Sequence, residues 1–165
     1  MKPGYLFTSP LGDIVLRAED EALTGVFFVG QKHYPDLLRV TDQQPVPRII
    51  ALAREQLQEF FAGERQVFDL PLRARGTPFQ EQVWQALARI PYGEIMSYGA
   101  MARQMGLSAG HSRAVGTANG RNPISIIVPC HRVVGAAGDL TGYAGGVERK
   151  RALLALEAEQ GFRLA

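Results

Sequence analysis

Pro129-Cys130-His131-Arg132-Val133 holds the only cysteine of this 165-residue chain, directly beside one of its three histidines and an arginine. A lone thiol has no internal disulfide to make, so it serves either packing or reactivity. Its free pKa of about 8.5 leaves roughly 3% as thiolate at neutral pH. A nucleophilic cysteine therefore needs neighbours that stabilise the anion or take its proton, and His131 and Arg132 are of that kind. The alternative is a small buried hydrophobe closing the apolar run Ile124 to Val128.

The elements around this motif have to place it. At 46% hydrophobic content and a net charge of +2 the chain suits one globular domain or two small ones. No apolar run approaches the ~18 residues of a membrane span, and the N-terminus shows no apolar signal segment. The expected location is the cytoplasm, whose reducing conditions suit an unpaired thiol. Charge is uneven: residues 1–76 carry nine Lys/Arg and ten Asp/Glu, and residues 77–165 carry nine and six, giving −1 and +3. No carboxylate lies between Glu94 and Asp139, a window containing Arg103, Arg113, Arg121 and Arg132. Such a surface meets phosphates without repulsion, although chance clustering produces the same pattern.

The chain divides at Arg73-Ala-Arg-Gly-Thr-Pro78. Before it, Tyr5 to Thr8, Asp13 to Ala18 and Leu23 to Val29 read as strands, with Ser9-Pro-Leu-Gly12 as a turn. Pro47 opens a helix whose apolar side is Ile50, Leu57, Phe60 and Phe61, and Gly63 closes it. Val67 to Leu70 is a candidate further strand. This half reads as a scaffold.

After the division, Thr77 is an N-cap, Pro78 takes the first helical position, and Gln80 completes a capping box. Phe79, Val83, Leu87 and Ile90 then mark one buried stripe, with Trp84 beside it in the core. Ser97 caps a short helix through Met105, Gly106 to Ser108 turns the chain, and Ala109 to Asn119 forms a second helix ending at Gly120. That is helix-turn-helix spacing. The second helix is rich in small residues and offers mainly Arg113 and Asn119 as longer polar groups. Sequence-independent binding in a narrow groove fits it better than major-groove reading, and tight helix packing would use the same residues.

Taken in order, Arg113-Ala-Val-Gly-Thr-Ala-Asn119-Gly-Arg-Asn122-Pro, the cysteine motif, and Thr141-Gly-Tyr143-Ala-Gly-Gly146 resemble the O6-alkylguanine-DNA alkyltransferases. The resemblance covers roughly Thr77 to Glu157. It implies a mixed α/β (α+β) chain: a ribonuclease-H-like sheet-and-helix scaffold over residues 1–76, then a mainly helical, winged-helix-type domain with the helix-turn-helix over residues 77–165. It further implies that Cys130 accepts, permanently and once per molecule, an alkyl group from O6 of guanine in DNA, and from O4 of thymine. His131 and Glu157 match a water-mediated proton relay, Asn122 the hinge asparagine leading to the active-site strand, and Tyr98 the tyrosine near the leaving base.

By the same resemblance Arg113 is the finger that replaces an extruded nucleotide. Ser97, Ala114, Gly116, Thr117, Asn119, Gly120 and Arg121 accompany it as the DNA-contacting set, while Val133, Tyr143, Ala144 and Gly145 line the base pocket. Extrusion is needed because an alkyl group on O6 within a duplex is out of reach of an in-line thiol. The expected partner is double-stranded DNA with alkylated bases, bound from the minor groove with nucleotide flipping. A monomer is expected, with cooperative binding on DNA as an alternative, and no membrane, cofactor or metal. The Cys/His zinc site of some relatives has no counterpart, and His111-Ser112 replaces the small apolar residues that many relatives carry before the finger.

Two rivals stand beside this reading. A non-catalytic lesion binder would lack the cysteine, which is present. A cysteine hydrolase would need Cys130 and His131 on a turn, since neighbours on a strand point to opposite faces.

Overall fold

The computed structural model describes residues 2–36, 38–41 and 44–164. Alternating apolar residues build the first layer. Strands β1 (Lys2–Ser9), β2 (Gly12–Glu19) and β3 (Ala22–Phe28) form an antiparallel meander, with Ile14, Leu16, Leu23, Val26 and Phe28 buried. A short strand β4 (Leu38–Thr41) joins parallel to β1, giving the order β3-β2-β1-β4. This strand was not anticipated, because Leu-Arg-Val-Thr is too short for alternation to stand out and its partner is the distant β1.

Helix α1 (Arg48–Phe61) lays Ile50, Ala53, Leu57 and Phe60 on the sheet, and Gly63 follows it at φ 77°. The strand expected at Val67 to Leu70 is absent. Buried Gln56 on α1 satisfies that backbone instead, accepting from the Asp69 N–H at 2.8 Å and donating to its carbonyl at 3.0 Å. A side chain thus substitutes for a ladder partner.

The second half opens with α2 (Pro78–Leu87), whose Thr77–Gln80 capping box is formed on both sides. Trp84 is buried and its indole N–H donates to the Ala118 carbonyl at 2.9 Å, tying α2 to the helix-turn-helix. That pair consists of α3 (Tyr98–Gln104), capped by Ser97, and α4 (Ser112–Gly120). The second helix does not run unbroken from Ala109: residues Ala109–His111 form a 3-10 turn, where the Ser108 hydroxyl and His111 Nδ1 lie 3.0 Å apart. Serine and histidine bonding locally at a helix entry favour such a tight turn. Two-residue strands β5 (Met96–Ser97) and β6 (Val133–Val134) pair in parallel, and α5 (Val147–Leu164) closes the chain.

One buried cluster runs through both halves, from Leu23 and Phe28 on β3 to Met101, Val115, Ile124 and Leu153. Val26 N–H donates to the Pro123 carbonyl at 2.8 Å and Ser125 N–H donates back to Val26 at 3.2 Å, so the segment leading to the cysteine is fastened to the edge of the first sheet. No helix among the described residues is long and apolar enough to cross a membrane.

Candidate active site

The run Ile124 to Val128 is not a strand. Among the described residues its contact with the sheet is an isolated bridge from Ile124 to Val26, and Ile126 takes a left-handed backbone at φ 73°. A β-branched residue in that region is costly and needs a surrounding structure that imposes it. Asn122 is that structure. Its amide Nδ2 donates to the carbonyls of Ile124 (3.3 Å) and Val128 (2.8 Å), while its Oδ1 accepts from the Ile124 N–H at 3.0 Å. Asn122 thereby closes the loop into one compact turn.

That turn delivers Cys130–Arg132 as a 3-10 turn rather than a strand end. Cys130 and His131 are therefore both inside, at 3% and 0% exposure. Their partner is Glu157 on α5, itself 1% exposed. His131 Nε2 lies 2.6 Å from Glu157 Oε2. Arg132 meets the same carboxylate with both prongs, Nε to Oε1 at 2.8 Å and Nη2 to Oε2 at 3.0 Å, and its Nη1 donates to the Ile90 carbonyl at 2.6 Å. The Gly93 N–H adds a fourth donor to the carboxylate, at 3.2 Å.

Electrostatics fix the protonation states. Burial would raise the Glu157 pKa, but the hydrogen bonds and charges of His131 and Arg132 outweigh it and hold the carboxyl at about 2. An ionised Glu157 can only accept, so the proton of neutral His131 sits on Nε2. Burial, the charge of Arg132 and that of Lys150 press the imidazole below its ordinary range against the pull of Glu157. His131 Nδ1 is then a buried lone pair with no partner among the described residues. Cys130 is pushed up to about 11 by burial, with Asn122, Lys150 and Ser125 favouring the thiolate. The resting group is a thiol next to an unspent base.

Lys150 is fully buried, and its ammonium donates to the Thr141 carbonyl at 2.7 Å. Burial brings it down to about 8, countered by Cys130. It did not figure among the sequence candidates, yet a signal existed: Lys150, Leu153 and Glu157 share one face of α5 at helical spacing. Tyr98 is raised to about 12, first by burial and then by Cys130, so it keeps its proton. Tyr143 is buried and also raised by burial and by Cys130.

Tyr98 and Tyr143 also line a cleft of about 980 Å³, and the expected contact residues divide around it. Ser97, Tyr98, Arg113, Gly116, Thr117, Gly120, Arg121, Tyr143 and Ala144 line it. Ala114 is exposed on α4 outside the lining. Four further residues singled out from the sequence lie outside that lining. Asn119 does not face outward: it is 1% exposed, and its amide donates to the Cys130 carbonyl at 3.2 Å. It falls four residues after buried Val115 and one after buried Ala118, on the core face of α4. Val133 is buried in β6 and Gly145 is buried where an added Cβ would meet Phe28 at 3.0 Å, so neither lines the cleft. Arg132, grouped by sequence with the phosphate-facing arginines, is 7% exposed and committed to Glu157. Among the described residues no group of three or more His, Cys, Asp or Glu side chains could hold a metal ion.

A buried thiol followed in the chain by an imidazole on an ionised carboxylate, together with a helix-turn-helix cleft rich in arginine, defines a DNA-binding protein class with cysteine chemistry. Comparison with known proteins is specific. Residues 5–74 match the ribonuclease-like domain and residues 78–159 the DNA binding domain of 6-O-methylguanine DNA methyltransferase. The methylated-DNA–protein-cysteine methyltransferase of Mycolicibacterium paratuberculosis is 52% identical over 149 residues, 90% of this chain and 88% of that protein. The constitutive enzyme of Bacillus subtilis is 48% identical over 149 residues, 88% of each. Among solved structures, Mycobacterium tuberculosis OGT in complex with DNA superposes with a TM-score of 0.86 at 47% identity, covering 96% of this chain and 94% of that one. The chain belongs to the methylated-DNA–protein-cysteine methyltransferase family.

Proposed function

We propose that this protein repairs DNA by direct reversal, moving the alkyl group of O6-alkylguanine, and of O4-alkylthymine, onto its own Cys130. The observation that carries this reading is His131, next in the chain to the buried Cys130 thiol: its Nδ1 has no partner among the described residues, and its Nε2 is backed by a Glu157 carboxylate that His131 and Arg132 hold ionised. A buried nitrogen of that kind is the natural seat of one bridging water, through which the Cys130 proton passes to the imidazole. The thiolate then attacks the alkyl carbon; the S–C bond forms as the C–O6 bond breaks, and the electron pair passes to the purine oxygen. Tyr98, protonated across physiological pH, turns its hydroxyl from the Thr141 carbonyl toward the leaving base as charge develops. The product thioether does not hydrolyse, so each molecule acts once.

Residues 1–76 serve as scaffold, and residues 77–165 bind duplex DNA and carry the chemistry; the two family matches, 5–74 and 78–159, support this division. Arg113, exposed at the start of α4, enters the stack from the minor groove while the damaged nucleotide is turned into the cleft between Tyr98 and Tyr143. The protein acts as a monomer in the cytoplasm.

Intact-mass measurement after incubation with duplex containing O6-methylguanine tests this. The expected result is a gain of one methyl group per molecule, on Cys130, with no regeneration. Unchanged mass in folded protein overturns it, and return to the starting mass with repeated product release would instead identify a hydrolase.

A further inference from the structure

The cleft wall has a contribution from the first half of the chain. The turn after β3 brings Lys32 and His33 into the same cleft as Arg103, Arg113 and Arg121. This turn is pinned. Gln31 is buried, its Oε1 accepts from the Phe28 N–H at 2.8 Å, and its Nε2 donates to the Lys32 carbonyl at 3.2 Å. The Lys32 N–H in turn donates to the Ala144 carbonyl at 3.0 Å, on the loop beside the thiol site. His33 is held in the left-handed region at φ 61°, a conformation that costs a non-glycine residue free energy. Backbone fixed at that expense presents two exposed basic side chains at a set distance from α4.

Charge at this edge is unbalanced. Among the described residues no carboxylate lines the cleft, whose cations are Lys32, Arg103, Arg113 and Arg121, with the His33 imidazole beside them. Burial, together with the charges of Arg121 and Lys32, keeps His33 below its ordinary range. Cations from separate segments repel one another when gathered without a counter-charge, and an anion entering between them relieves that repulsion.

We infer that Lys32 and His33 form a second, N-terminal contact to the phosphate backbone of the duplex, so that the first half of the chain grips the DNA whose damaged nucleotide the second half receives. The inference rests on the DNA-repair reading and adds to it a binding role for the half otherwise read as scaffold.

The salt dependence of duplex binding tests it. Each phosphate neutralised adds about −0.9 to the slope of log K against log salt concentration on B-DNA. Lys32→Ala leaves the backbone bond to Ala144 in place, and we expect it to flatten the slope by about one while Lys32→Arg keeps the wild-type slope. Arg48→Ala, at an exposed position of α1 outside the cleft, is the control. A wild-type slope in Lys32→Ala, weaker binding with an unaltered slope, or an equal flattening in Arg48→Ala would each overturn the inference. Methyl gain by the wild-type protein is measured separately, so loss of this contact and loss of the repair reading are distinguishable.

Discussion

Tyr98 and Lys150 donate to one and the same acceptor: the phenol hydroxyl and the ammonium each lie 2.7 Å from the Thr141 carbonyl oxygen. Tyr98 begins α3 and Lys150 lies in the first turns of α5, so a single loop carbonyl joins the two helices over the thiol. Lys150 Nζ also sits 5.8 Å from the centre of the Tyr98 ring. Gly142, next in sequence, keeps a left-handed φ of 74° in a space where a Cβ would meet the Tyr98 hydroxyl at 2.6 Å.

Lys150→Met removes a buried positive charge that favours the Cys130 thiolate, along with one of the two bonds to Thr141. Alkyl transfer should slow on the order of tenfold, the equivalent of about one unit of thiol pKa. Single-turnover transfer rates at pH 7 and pH 9 check it: Lys150, at about 8, is losing its charge over this interval, so the variant and wild type should converge at the higher pH.

Glu157→Gln strands Arg132 with its main counter-charge gone, in a site that is almost fully buried. Breaking a buried pair from one side costs about 3–5 kcal/mol. Denaturant unfolding should show that loss, and the double variant Arg132→Met/Glu157→Gln should recover part of it, because neither charge is then left unpaired. A double variant less stable than Glu157→Gln would contradict this account.

Acid should act through His131. Its folded pKa is below the unfolded value of about 6.5, so as pH falls the unfolded chain takes up the proton first. The stability this group contributes is present above pH ~6.5 and is lost as pH falls through the lowered folded value. Transfer needs the neutral imidazole, so its rate should hold through pH 6.5 and decline only below it. Rate and Tm measured in parallel from pH 8 to pH 5 check both, with His131→Gln removing the Tm slope specific to this residue.

Asn119→Ala separates packing from DNA contact. The Cys130 carbonyl would lose a buried donor, at a cost of about 1–3 kcal/mol in unfolding free energy. Duplex affinity of the folded variant should stay within about twofold of wild type. Arg113→Ala should do the reverse, weakening duplex binding with little effect on stability, since its side chain is exposed on α4.

The local signals in the sequence were sufficient for the elements they govern. Thr77, Pro78 and Gln80 specify a helix start within four residues, and the Ser97 cap likewise depends only on its own neighbours. The Cys130-His131 pair announced thiol chemistry because residue type sets what a side chain can do. What tertiary structure decided is which groups meet. The strand-like run Ile124 to Val128 became a turn because Asn122 offers its carbonyls and N–H nearer partners than a sheet does. Arg132 was drawn from the phosphate-facing set to Glu157, 25 residues away, and Lys150 was placed over the thiol by the docking of α5. Lys32 and His33 reached the cleft through a bond from the first half of the chain to Ala144. Local preference is encoded by residues in sequence contact, whereas protonation state and charge pairing depend on burial and on distances that exist only once the chain has closed on itself.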